Sequence, residues 1–138
     1  MRIALALCLA ATVVGCGVSA AAPTMEPTLT DLKITVWPDG REEGNANIHT
    51  LKCAPARGTL ARASAACTEL LKMSRPFRPV PADMFCTDVY GGPQQALITG
   101  TLKGARVWAQ FSATNGCQIA RAKRISFLLP GFATAAGA

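Results

Sequence analysis

Four cysteines, Cys53, Cys67, Cys86 and Cys117, constrain this chain more than any other feature. They follow a start that reads as an export signal: Arg2 supplies a minimal positive end, Ile3 to Val14 an apolar stretch, and small residues come next. That stretch is too short to span a bilayer. Cys8 lies inside the signal and leaves with it. An even number of cysteines in a small exported domain implies two disulfides, and four cysteines allow three connectivities that spacing alone does not decide. Zinc is the rival explanation for the set. No two of the four stand at the close spacing of a metal knuckle, and His49 is the only histidine, so no metal site and no cofactor are expected.

Two cleavage readings compete. Val13-Val14-Gly15-Cys16 has the form of a lipoprotein box, with Cys16 as the lipid anchor, whereas Val18-Ser19-Ala20 suits ordinary signal peptidase. The first gives a cell-envelope lipoprotein on a small, Pro-interrupted tether from Gly17 to Thr28; the second gives a secreted protein. The expected organisation is a signal over 1–20, a linker over 21–28, one domain over 29–132 and a disordered tail over 133–138. One domain of that size can bury a modest core. The formal net charge is +6. Its basic residues are dispersed, with one cluster at Arg121, Lys123 and Arg124 that reads as a solvated face. Nucleic-acid binding needs a dense basic stripe with stacking aromatics and is not expected. Any membrane contact would run through the lipid.

The pattern of apolar residues predicts an α+β domain. Asp31 to Trp37 alternates, with Leu32, Ile34 and Val36 on one face, as in a half-buried strand. Pro38-Asp39-Gly40 is a turn signal, and a second strand over about Ala46 to Cys53 pairs back antiparallel. Ala63, Ala66, Cys67, Leu70 and Leu71 form one helical stripe, ended by Pro76. Prolines at alternate positions make Phe77 to Pro81 extended and poor in hydrogen bonds. Ala96 to Leu102 and Ala105 to Ser112 read as a hairpin turning at Lys103-Gly104. Ile125 to Leu129 is expected to close the sheet as a last strand, with a short second helix after Cys117. The whole is a single antiparallel sheet of about five strands, with one or two helices on one face and two disulfides.

Catalysis finds little support. His49 lies inside a strand, there is no nucleophile elbow or phosphate loop, and Asp83 and Asp88 sit in an irregular stretch with a cysteine between them. No catalytic residue is expected. What stands out is Cys86-Thr87-Asp88-Val89-Tyr90-Gly91-Gly92-Pro93, between a Pro-rich approach and a Gly-Gly-Pro turn. A disulfide at its start would hold it as a protruding, extended loop. Proteases bind substrates as strands, and a preordered strand avoids much of the entropy cost of docking.

The order Thr50-Leu51-Lys52-Cys53-Ala54-Pro55, Gly58-Thr59, Ala65-Ala66-Cys67, Cys86-Thr87 with Tyr90, Thr99-Gly100-Thr101, and Asn115-Gly116-Cys117 with Ile119 resembles the subtilisin inhibitor-like family across roughly Leu29 to Pro130. The resemblance implies pairing of Cys53 with Cys67 and of Cys86 with Cys117. It implies a five-stranded sheet with helices on one face. Dimers often form through the other face, so that Trp37 and Trp108 are candidates for a homodimer contact. It also implies a substrate-like, standard-mechanism inhibitor of subtilisin-like or other secreted serine proteases. The reactive bond would join Asp88 (P1) to Val89 (P1′), flanked by Cys86 (P3), Thr87 (P2) and Tyr90. The chain departs from the family at P1, where a large apolar residue is usual, and in carrying Tyr90-Gly91-Gly92-Pro93 for Tyr-Asp-Pro. The alternative is an envelope-tethered binding domain of the same fold that has lost protease inhibition.

Overall fold

The computed structural model describes residues 29–133. The signal, the cleavage sites, the linker, Cys16 and the tail beyond Ala133 lie outside the described residues. Strand β1 (Thr30–Trp37) buries Leu32, Ile34 and Val36 completely, as its alternation requires. It is the hub of the sheet, pairing antiparallel with β2 (Asn47–Cys53) on one side and β3 (Gln95–Leu102) on the other. β3 pairs with β4 (Ala105–Ser112), which gives one four-stranded antiparallel sheet in the order β2-β1-β3-β4. The β3–β4 turn places Lys103 and Gly104 at φ 50° and 80°. Both are left-handed, as a two-residue turn matching the sheet twist demands.

The inner face of the sheet carries Leu32, Ile34, Val36, Leu51, Ala96, Ile98, Ala109 and Phe111 into one core. Helix α1 (Ala63–Lys72) covers it with Ala66, Cys67 and Leu70, and the Cys53–Cys67 disulfide fastens the helix to the end of β2. Leu71, which the sequence pattern assigns to the buried stripe, is 40% exposed. Helix α2 (Gly116–Arg124) adds Ala122 and packs against β4.

The expected fifth strand does not form. Ile125, Leu128 and Leu129 are all buried, and their spacing of three and four residues is helical, not alternating. The segment leaves α2 as a 3-10 turn over Ser126–Leu128, with Ile125 accepting from the Leu128 amide at 2.8 Å. Pro130, which has no N–H, stops any extension into a ladder. Among the described residues no helix is long and apolar enough to cross a membrane.

Candidate functional site

After α1 the chain runs through Pro76, Pro79 and Pro81, which donate no amide hydrogen bonds, so this stretch cannot join the sheet and lies over the surface as irregular chain. A turn in which the Met84 N–H donates to the Pro81 carbonyl at 3.1 Å leads into the loop. From Met84 to Tyr90 there is no regular structure, and every residue except Cys86 is exposed.

Both limbs of this loop are tied to the same short segment, Ala113–Cys117, which runs from the end of β4 into the first turn of α2. The Cys86–Cys117 disulfide holds the first limb, and the Gly116 N–H donates to the Thr87 carbonyl at 2.9 Å. On the second limb the Gly91 N–H donates to the Ala113 carbonyl at 2.7 Å. Between these ties Asp88, Val89 and Tyr90 make no backbone hydrogen bond to another described residue. The three therefore form an exposed arch whose N–H and C=O groups remain available to an incoming strand.

The support is held by local contacts. Asn115 caps α2, its Oδ1 accepting from the Gln118 N–H at 3.0 Å. Ala113 is fully buried. Position 116 admits only glycine without rearrangement, because a Cβ there would stand 2.1 Å from Thr87 Oγ1. Below the second limb, Gln94 is buried and its Nε2 donates to the Gly91 carbonyl at 3.1 Å and to that of Ala133.

Arg121 corrects the sequence expectation of a solvated basic cluster. Its guanidinium sits 4.1 Å from the Phe111 ring centroid, and Nε donates to the Arg78 carbonyl at 2.8 Å. Nη2 donates to the Phe77 carbonyl at 3.1 Å, and Nη1 to that of Gln110. Burial lowers its pKa from the ordinary value, yet guanidinium remains protonated at physiological pH. One side chain thus fastens the approach to the loop onto both α2 and β4. Beside it, Pro79, Pro81, Met84, Phe85 and Cys117 help to line an open groove of about 510 Å³.

The structure brings Cys86, Thr87, Asp88, Val89 and Tyr90 together on one loop and joins Cys86 to Cys117. Cys53 and Cys67 pair elsewhere, fastening α1 to β2. His49 is half-buried in β2, and Asp83 and Asp88 have no ion pair among the described residues. Trp37 is half-buried beneath Arg41, 4.4 Å away, and Trp108 is 66% exposed on β4. Among the described residues no group of acidic, histidine or cysteine side chains could hold a metal ion. Sequence reasoning missed Phe85, Gln94 and Arg121. Arg121 follows Cys117 by four residues and so shares the helix face that carries the loop disulfide, a signal present in the sequence.

The described residues form a small disulfide-bonded α+β domain that holds one exposed arch between fixed ends. The model of the subtilisin inhibitor-like family matches residues 27–115, well over half of the chain, and the chain belongs to that family. Its members are protease inhibitors, not enzymes. The match spans the whole arch and ends at Asn115, just short of Cys117. A similar solved structure is that of Streptomyces caespitosus sermetstatin in complex with Bacillus licheniformis subtilisin. It has 24% identity, covers 71% of this chain and 93% of that one, and has a TM-score of 0.45. No curated protein matches the chain.

Proposed function

We propose that this protein is a substrate-like, standard-mechanism inhibitor of a secreted serine protease, with Asp88–Val89 as its reactive bond. The observation that carries the reading is the arch itself: Asp88, Val89 and Tyr90 exposed, with hydrogen bonds and a disulfide fixing the chain on both sides. The protease serine adds to the Asp88 carbonyl carbon, the Asp88–Val89 C–N bond breaks, and an acyl-enzyme forms with a free amine on Val89. In an ordinary substrate that amine diffuses away. Here Gly91 is held to Ala113 and Thr87 to Gly116, so the amine stays near the acyl carbon and attacks it again more readily than water does. The inhibitor contributes no catalytic group; it contributes a fixed geometry. The partner is an extracellular or envelope protease, in keeping with two disulfides in a chain that begins like an exported one.

The test is an inhibition assay of the purified protein against a panel of bacterial secreted serine proteases, followed by mass mapping of slow cleavage. Inhibition with one cut between Asp88 and Val89 supports the reading. A folded protein that inhibits nothing, or is cut only elsewhere, removes it.

A further inference from the structure

Resting on that reading, we infer that the protease this loop fits cleaves after acidic residues, with a basic group in its S1 pocket, and that Phe85 supplies the apolar hold that P1 does not. The first observation is the state of Asp88. Its side chain is exposed at the crown of the arch, and among the described residues it has neither a salt bridge nor a side-chain hydrogen bond. The ties at Thr87 and Gly91 prevent the carboxylate from withdrawing when the loop docks. A partner must either pair it or bury it alone, and burying an unpaired carboxylate is prohibitively costly beside the alternative.

The second observation is the local charge. The protein is basic overall, at +6, yet from Pro79 to Leu102 there is no lysine or arginine, and the charged residues there are Asp83 and Asp88. The segment that enters a cleft therefore carries only negative charge of its own, with Arg78 and Arg121 lining the groove beside it. Complementarity to Asp83 and Asp88 favours a positive cleft at that segment.

The third is Phe85. It is 101% exposed, three residues before Asp88 at the P4 position, and Met84 beside it is 52% exposed. Its ring is fully exposed beside a disulfide cysteine and takes no part in the hydrophobic core. In a complex it can fill one pocket and act as an interface anchor. Recognition is thus divided between a carboxylate at P1 and a phenyl ring at P4, and the enzyme that suits both has an extended cleft.

The experiment measures inhibition constants of the full chain and its Asp88→Asn, Asp88→Met and Phe85→Ala variants, with folding checked by circular dichroism. The enzymes are a serine endopeptidase specific for Glu and Asp and a subtilisin. The wild type is expected to bind the acid-specific enzyme about a hundredfold tighter than subtilisin, Asp88→Asn to lose about a hundredfold on the former, and Asp88→Met to reverse the order. Phe85→Ala should weaken the acid-specific complex at least about tenfold. If Asp88→Asn matches the wild type, or the wild type holds subtilisin as tightly as Asp88→Met does, the acid-specific partner is wrong while the loop reading stands. If Phe85→Ala changes nothing, the second anchor is wrong. If no folded variant, Asp88→Met included, inhibits either enzyme, the inhibitor reading falls and this inference falls with it.

Discussion

Arg121 and Arg78 are joined side chain to backbone: Nε of the first donates to the carbonyl oxygen of the second at 2.8 Å. Two cations in one region do not form this contact for their charge. It exists because the Pro-rich approach leaves its carbonyls without partners, and a planar fork can serve several at once. Arg121→Ala should leave the Phe77 and Arg78 carbonyls and the Phe111 ring uncovered and lower stability by about 1–3 kcal/mol. A denaturant titration measures this. Inhibition should weaken roughly tenfold in addition, because the approach to the loop is no longer preordered. Arg121→Lys should recover little of either, since one ammonium cannot reproduce the fork.

Gly116→Ala tests the loop support with little disturbance to the fold. Gly116 is the first residue of α2 and its φ is not left-handed, so the backbone accepts alanine there and global stability should change by less than about 1 kcal/mol. The new Cβ meets Thr87 Oγ1 at 2.1 Å and must turn or displace the Thr87 side chain. Inhibition is expected to fall while the unfolding midpoint holds. Thr87→Ala removes the clashing oxygen, so the double variant should regain much of the loss, a non-additivity that an inhibition-constant cycle reads directly. Additive losses would mean that Thr87 and Gly116 do not meet as described.

The two disulfides should separate in function. They span 14 and 31 residues, and each removal should cost about 3–4 kcal/mol in the chain-entropy model. Replacing Cys53 and Cys67 by serine should lower stability and leave the inhibition constant nearly unchanged at a temperature where the protein stays folded. Replacing Cys86 and Cys117 frees the first limb of the loop. That variant should turn from inhibitor into substrate, with cleavage at Asp88–Val89 running to completion. Mass spectra over a time course distinguish the two.

Much of this architecture was legible because alternation and the hairpin turn are local signals. β1, β2, α1 and the β3–β4 hairpin lie within a residue or two of their expected bounds. The last segment departs from the expected strand because Ile125 to Leu129 is short and apolar, and in so short a run a helical turn and a strand carry the same pattern. The loop was visible through its cysteine, prolines and glycines. Its supports were not: Gln94 and Arg121 act through backbone carbonyls far away in sequence, and only the packed chain brings those carbonyls within reach. Phe85 passed unnoticed because an aromatic residue is ordinarily assigned to a core, and only its exposure marks it as a contact for something else.

Resynthesis of the Asp88–Val89 bond measures whether its two ends stay in place after it is cut. Intact protein and protein already cut at Asp88–Val89 are each incubated with a catalytic amount of a serine protease that the intact form inhibits, and the two forms are quantified by mass over time. Convergence from both directions on one mixture in which both forms are well represented is expected, because the ties at Thr87, Gly91 and Cys86–Cys117 make hydrolysis nearly reversible. Complete conversion to the cut form from either start, or its further degradation, would contradict it.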